Sequence, residues 1–435
     1  MKSLKLFGTT VGALASVTFS LHASGAETQA SANDSILIPE RAVILHGNPQ
    51  TVNKDVLGVF YSSEELAFSD PDAPRFLLID KEGKIAFGIG GQLYATASYD
   101  FNGSVDGSGF TTYDIPTPNS AATRQRFGGD LSHSSLFAKL VGKSDKLGMY
   151  QVYFQANFTG NNGGYGFLLK QAYVTLHNFT AGLTNSTFVD GATQAPTIDP
   201  EGPSGQVAKK NILFRYVTPS YKGFKAAASV EIPSTTFTLN SSTERIATRV
   251  PDIPVYAQYS WASGQHVRAS AIFRDMAYRD LKTGENKLKP GWGVQLSTIT
   301  NLDPYGVLQF FGHIAYGRGI GTYINDLGGS GYDLVPGDKP GELTAPKMMG
   351  WTTGLYINVT PKLFFTGSFS RAQVYGLSDL GGDQYRYGQY ADANGFYQVD
   401  SNFRVGAEYI HGWRKNYNGE TGTANRFNVL LQYSF

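Results

Sequence analysis

Charged side chains recur at alternate positions in several segments, which places them together on one face of a β-strand. Arg268 and Arg274 alternate with apolar residues from Val267 to Phe273. Because successive side chains of a strand point to opposite faces, both arginines lie opposite the apolar face. The same parity collects further basic and acidic residues on that polar face: Lys170, Arg215, Lys225, Arg404 and Arg414, with Glu231 and Glu408.

A polar strand face of this kind suits the interior of a membrane barrel, whose apolar face meets lipid. A cation turned toward lipid at mid-bilayer would cost about 2–4 kcal/mol, so these charges are predicted to face a water-filled lumen. There they would steer charged solutes. The alternative is that these charged side chains only hydrate the lumen and do not select solutes.

One long loop carries carboxylates that could oppose this basic wall. The segment from Val189 to Lys210 contains Asp190, Asp199 and Glu201 among three prolines. If it folds inward, its acids and the arginines create a transverse field across a constriction. An ordinary surface loop is the alternative interpretation.

Residue patterns for catalysis or cofactor binding are weak. None of the seven histidines has the spacing of a convincing catalytic triad, although triads form in space rather than in sequence. The glycines from Gly88 to Gly91 lie inside a predicted strand, which excludes a nucleotide fingerprint. We therefore predict no enzyme activity, metal or cofactor. An outer-membrane hydrolase and a structural or adhesive barrel remain the competing hypotheses.

The elements that would position these charges are about sixteen amphipathic ribbons between Ile85 and the C-terminus. Most are near the 9–11 residues that a tilted membrane strand requires. Short turns alternate with long loops rich in Gly, Asp and Asn, which is typical of periplasmic turns and extracellular loops. The sequence thus predicts an all-β transmembrane antiparallel barrel of sixteen strands, with a constriction loop folded inward.

Composition supports this prediction. The 435 residues include no Cys, only 16% are charged, and mean hydropathy is −0.22, values that disfavour a helical membrane protein. The formal net charge of +1 gives no support for nucleic-acid binding. A basic start, an apolar stretch and small residues before Glu27 predict a signal peptide over 1–26. Residues 27–83 are predicted to be a periplasmic extension, with a short helix near Ser62–Phe68, and 84–435 the barrel.

Aromatic residues mark the predicted membrane boundaries. The four tryptophans lie at strand ends on the lipid face, with Trp292, Trp351 and Trp413 at the outer interface and Trp261 at the inner one. The C-terminal strand alternates up to Phe435, which is predicted to close the barrel against the first strand. This strand is also the expected contact for the barrel-assembly machinery.

Several segments resemble those of a known family. Residues Leu169–Tyr173, Ala181–Asp190 and Thr197–Pro203 are similar to the DcaP-like porins of Gram-negative bacteria. The resemblance implies a trimeric sixteen-strand channel in the outer membrane, surrounded by lipid, with loop three folded inward. It also implies uptake of small polar or anionic solutes such as dicarboxylates. Lys170 stands where the family often has Arg, which weakens a transfer of bidentate carboxylate binding.

Overall fold

Alternating side chains from Ile85 onward form one continuous antiparallel ladder in the computed structural model, which describes residues 43–46, 54–61, 76–80, 83–105, 107–160 and 164–435. Sixteen strands make up the barrel. They are β1 Ile85–Asn102, β2 Ser135–Ser144, β3 Gly148–Asn157, β4 Leu168–Leu176, β5 Phe179–Asn185, β6 Lys210–Val217, β7 Phe224–Glu231, β8 Ile253–Ala262, β9 Gln265–Asp280, β10 Asn286–Asn301, β11 Leu308–Arg318, β12 Lys347–Thr360, β13 Leu363–Tyr375, β14 Tyr385–Gln398, β15 Phe403–Asn416 and β16 Thr421–Ser434.

The barrel closes between its first and last strands. β16 pairs antiparallel with β1 from Asn425 opposite Asn102 to Ser434 opposite Gln92. At the very end, Phe435 exchanges two backbone hydrogen bonds with Gly91, at 2.9 and 3.0 Å. The predicted fold class, a sixteen-strand barrel with an inward loop, is confirmed.

Connections differ in length on the two sides of the barrel, and this sets its orientation. The long outer connections are loop one (residues 103–125), loop three (186–209), loop four (232–252), loop six (319–346) and loop seven (376–384). The loop between β9 and β10 is shorter than the sequence indicated, because the two strands keep pairing up to Arg279 opposite Asn286. Because long loops mark the extracellular side, β1 begins and β16 ends on the periplasmic side.

Short regular elements lie outside the sixteen strands. They are the strands Arg126–Asp130, Thr243–Arg245, Val335–Pro336 and Leu343–Thr344, and the 3-10 turns Thr112–Asp114, Ala121–Thr123, Gly191–Thr193, Gly321–Tyr323, Asn325–Leu327 and Ser378–Leu380. In the described part of the chain, no helix is both long and apolar enough to span a membrane.

Parts of the N-terminal extension dock at the periplasmic end of β1. Strand Phe76–Ile79 pairs with β1 just below the end of β16. Strand Val43–His46 in turn pairs parallel with Phe76–Ile79. Helix α1, Lys54–Tyr61, packs Val56 and Phe60 against inward-facing residues of β1 and β2. The predicted signal peptide and the helix predicted near Ser62–Phe68 lie outside the described residues.

Candidate functional site

The interior of the barrel has two unlike sides. On the arc from β8 to β15, inward side chains are buried beneath loops, as with Ile272, Phe311 and Tyr356. Loop three and loop six pack there as one apolar cluster that includes Phe188 and Tyr323. On the arc from β3 to β7, several inward side chains keep intermediate exposure, including Gln151 and Tyr173. The lumen therefore runs along the second arc, which we call the open arc; the first is the packed arc.

Carboxylates fix the start of loop three to the barrel wall. Glu231 on β7 accepts a hydrogen bond from the backbone N–H of Thr187 at 2.8 Å. Asp190 then contacts three wall residues: His266 Nε2 at 2.8 Å, Ser297 Oγ at 2.6 Å and Arg268 Nη1 at 3.5 Å. Burial opposes ionisation, but Arg268 and the bonds from His266 and Ser297 hold the pKa of Asp190 below its usual range. Asp190 is thus an anionic anchor.

The middle of the loop continues along the wall. The backbone N–H of Val207 donates to His313 Nε2 at 3.1 Å, and Asn394 donates to the Pro196 carbonyl at 3.0 Å. The backbone N–H of Gly205 donates to Ser370 Oγ at 2.8 Å. Gly205 lies so close to the β13 backbone at Arg371 that a β-carbon would not fit. Only glycine allows this approach of the loop to the wall.

A second pair of acids fixes the tip of the loop. Glu408 on β15 accepts the backbone N–H groups of Ile198 and Asp199, at 2.9 and 2.8 Å. Asp199 in turn accepts the backbone N–H of Phe110 in loop one at 2.9 Å. Burial and the neighbouring Glu408 raise the pKa of Asp199 well above its usual value. Both carboxylates hold the loop and neither faces the lumen.

Glu201 is the predicted loop-three acid that stays partly exposed. Burial raises its pKa, and the positive charge of Lys170 acts in the opposite direction. Lys170 occupies the bulge where β4 pairs with β3, between Leu169 and Gln171. The structure therefore brings one acid of loop three near one cation of the open arc.

Arg274 faces the barrel interior, as its parity predicts, but loops four and six cover it completely. Its guanidinium pairs with Asp252 at 3.0 Å and with Asp333 at 3.3 Å, and donates to the Ser234 carbonyl at 2.9 Å. We expected Arg274 to line the pore, and its complete burial contradicts this expectation. The residue instead ties two outer loops to β9.

The other predicted basic residues lie in different surroundings. Arg268 is mostly covered by loop three, and its guanidinium stacks on Tyr256 at 4.3 Å. Arg414 donates to the Tyr113 carbonyl of loop one and to Asn416. Arg404 donates to Gln398 at 2.9 Å near the periplasmic end. Arg215 differs from these three arginines, because it donates to a strand carbonyl of the open arc, that of Asn185, at 3.3 Å.

The open arc keeps three cations that form no ion pair within the described residues: Lys170, Arg215 and Lys225. The strand ladder orders them along the wall. In the ladder, Arg215 lies level with Thr175 of β4, and Lys170 is five residues above Thr175 toward the outer side. Arg215 also lies level with Ser229 of β7, and Lys225 is four residues below Ser229 toward the periplasm. At about 3.3 Å per residue the steps are roughly 16 and 13 Å. They form a descending basic series.

Sequence reasoning missed the part played by loop six. Tyr323 donates to Asp252 at 2.9 Å, and Asp326 accepts the backbone N–H of Thr112 at 2.9 Å, which joins loop six to loop one. A signal was present, because loop six carries more large apolar residues than a solvated loop needs: Ile320, Tyr323, Ile324, Leu327, Tyr332, Leu334 and Val335. Such a composition indicates burial.

The tryptophans lie on the outer barrel surface. Trp261 is 45% exposed next to a periplasmic turn, and Trp292 is 42% exposed near the outer end of β10. Trp351 and Trp413 flank Phe369, with ring centroids 5.5 and 6.3 Å away. The described residues contain no group of three or more His, Cys, Asp or Glu side chains that could hold a metal ion.

A closed sixteen-strand barrel with loop three folded against one inner wall has the architecture of a bacterial outer-membrane porin. A family model described as DcaP outer membrane protein matches residues 65–315, more than half of the chain. The chain belongs to this family, as its motifs predicted. Family and fold together indicate a channel rather than an enzyme.

Solved structures agree on the fold. The outer membrane channel DcaP of Acinetobacter baumannii is 17% identical and aligns over 82% of this chain and 99% of its own, with a TM-score of 0.70. The anion-selective porin from Comamonas acidovorans is 11% identical and aligns over 81% of this chain and 100% of its own, with a TM-score of 0.51. No curated protein matches the sequence significantly.

Proposed function

We propose that this porin passes small hydrophilic solutes with a preference for anions, dicarboxylates among them. The observation that carries the proposal is the unequal use of charge inside the barrel. Asp190, Asp199, Glu231 and Glu408 are all buried and engaged in holding loops. The basic series Lys170, Arg215 and Lys225 keeps intermediate exposure on the open arc. A mobile anion therefore meets more uncompensated charge than a mobile cation does.

A stepped series of cations also suits passage rather than tight binding. Conduction requires sites that attract the solute but release it to the next site. Steps of roughly 13–16 Å along the strands let a dianion leave one cation as it approaches another. The partly exposed Glu201 opposes Lys170 and would limit the preference to a weak one. The anion-selective porin from Comamonas acidovorans, which has a similar fold, supports this preference.

The test is the reversal potential of the purified protein in a planar bilayer under a KCl gradient. The wild type is expected to favour chloride, and Lys170→Gln/Arg215→Gln is expected to lose most of that preference. The matched control is Lys146→Gln/Lys362→Gln, which removes two exposed lysines from periplasmic turns. A cation-favouring wild type, or equal shifts in the two double variants, would refute the proposal.

Solute class is tested separately by swelling of liposomes. A four-carbon dicarboxylate should enter faster than a neutral sugar alcohol of similar size, and the Lys170→Gln/Arg215→Gln variant should reverse this order. Equal entry of the two solutes into liposomes with the wild-type protein would indicate a general porin and would exclude the preference for dicarboxylates.

The proposed assembly is a homotrimer, exported through the signal peptide 1–26 and inserted through its C-terminal strand. The support is the resemblance stated above and the backbone bonds of Phe435 at the closing seam. Conductance that rises in steps of three, matched by a trimer mass in detergent, is the expected result. Single steps from a monomer would contradict it.

A further inference from the structure

Four basic residues face away from the barrel at the outer ends of strands between β11 and β15. They are Arg318 on β11, Lys347 on β12, Arg371 on β13 and Lys415 on β15. Arg318 is opposite the exposed Trp292 and also opposite Lys347, while Arg371 is opposite Trp351. The parity that exposes these tryptophans therefore turns the cations outward as well. We call the four residues the outer basic patch.

Aromatic side chains fix the depth of this patch in the membrane. Phe369 precedes Arg371 by two residues on the same face, and Trp413 precedes Lys415 in the same way. Trp351, Phe369 and Trp413 form one layer of ring contacts. Aromatic girdles mark the boundary between acyl chains and headgroups, so the patch lies at the level of the outer-leaflet headgroups.

Charges in the patch have no carboxylate partner in the part of the chain that the structure describes. None of the four residues forms an ion pair within the described residues. No carboxylate shares the outward face of the outer halves of β11 to β15, where the polar neighbours of the patch include the neutral Gln373 and Gln389. By contrast, the buried arginines inside the barrel, Arg274 and Arg426, are each paired with carboxylates.

Two features indicate that a ligand supplies the missing charge. Arg318 and Lys347 face each other directly in the ladder, an arrangement of like charges that destabilises a sheet unless an anion lies between them. Arg371 stacks on Tyr387 at 3.9 Å, which holds the guanidinium plane in one orientation, and its Nε has no hydrogen-bond acceptor among the described residues. A preoriented guanidinium matches phosphate geometry.

We propose that the outer basic patch binds the phosphate groups of anionic glycolipid in the outer leaflet of the outer membrane. Arg318 and Lys347 share one phosphate, and Arg371 with Lys415 attracts a second. Counted along and across the strands, Lys347 of the first phosphate site and Arg371 of the second are roughly 14 Å apart, a span that a bisphosphorylated headgroup can bridge. The acyl chains of the lipid pack on the aromatic layer below.

The test measures lipid retained by the full-length porin after extraction into detergent micelles that contain bisphosphorylated lipid A. Native mass spectrometry counts the lipid molecules that stay bound. Wild-type protein should retain the bisphosphorylated form and lose the dephosphorylated form. Lys347→Gln/Arg371→Gln should lower the affinity by on the order of tenfold, since each cation near an anionic lipid surface contributes several-fold. Lys146→Gln/Lys362→Gln, on the periplasmic side, should behave as wild type.

Conductance and selectivity of the channel give the second readout. The patch faces away from the lumen, so Lys347→Gln/Arg371→Gln should keep wild-type conductance and selectivity. Equal retention by the two double variants would overturn the proposal, as would equal retention of the phosphorylated and dephosphorylated lipid. If the patch variant instead changed the oligomeric state with lipid retention unaltered, the surface would be a subunit contact and the proposal would also fail.

Discussion

The packed arc and the open arc of the barrel carry the same residue types on the same strand face, but they use them differently. On the packed arc, charged residues such as Arg274 and Glu408 are buried and hold loops in place. On the open arc, Arg215 and Lys225 are partly exposed to the lumen. An inward-facing charge is therefore either a loop anchor or a pore charge, depending on whether a loop covers it.

The difference follows from the cost of burying charge. A buried charge must be paired and hydrogen-bonded, whereas a charge in a wet lumen keeps its water. Loops that cover the packed arc bring their own partners, as Asp252 and Asp333 do for Arg274. Substitutions on the packed arc should mainly change stability, and substitutions on the open arc should mainly change selectivity.

The largest expected effect is that of Arg274→Met. Removing the guanidinium leaves Asp252 and Asp333 buried without their cation, which typically costs about 3–5 kcal/mol. Urea unfolding of the protein in lipid vesicles, followed by tryptophan fluorescence, measures the loss. Reversal potential should not change, because Arg274 is fully buried. A shift as large as that of the Lys170→Gln/Arg215→Gln variant would break the distinction between the arcs.

Glu408→Gln should have the next largest effect. The amide offers one carbonyl oxygen where the carboxylate accepted both Ile198 and Asp199 N–H groups, and a buried donor without a partner costs about 1–3 kcal/mol. The tip of loop three should loosen, so single-channel recordings should become noisier. Glu201→Gln is the control, since Glu201 is partly exposed. Quiet recordings from Glu408→Gln would show that the loop does not depend on this anchor.

Docking of loop six on loop one should depend on pH. Burial raises the pKa of Asp326 to about 7 from 3.8, although Thr112 donates to it and opposes the rise. The docked state binds this proton more tightly than the free loop. The contribution of this proton to docking is therefore fully present below about pH 4 and is lost as pH rises to about 7.

Limited proteolysis of the outer loops between pH 5 and pH 8 measures this dependence. Cleavage should accelerate at the higher pH in the wild type and stay nearly constant in Asp326→Asn, which keeps the shape without the titration. Equal pH dependence in both proteins would assign the effect to another group.

Lys225→Gln should have the smallest effect on stability. The side chain is partly exposed and has no ion pair within the described residues, so the change in unfolding free energy should stay within about 0.5 kcal/mol. The reversal potential should still move slightly toward cations. A large loss of stability would place Lys225 among the anchors and remove it from the basic series.

Much of the fold was predictable because strand parity and membrane thickness are local constraints. The alternation of β9 correctly turned Arg268 and Arg274 inward, and the C-terminal alternation correctly ended in a closing strand. The extent of the hairpin between β9 and β10 was underestimated, because pairing above the membrane does not require an apolar face. Packing of helix α1 against β1 and β2 was not predicted, since it joins residues that are distant in the sequence.

Sequence alone determined that the chain forms a sixteen-strand outer-membrane barrel with inward charges and a constriction loop, because period-2 alternation, strand length and loop length are written residue by residue. It could not separate Arg274 from Arg215, since both are arginines of the same parity. Only the tertiary structure decided that loops four and six bury the first and leave the second beside the lumen. Desolvation depends on which distant segments cover a side chain, and no local pattern encodes that choice.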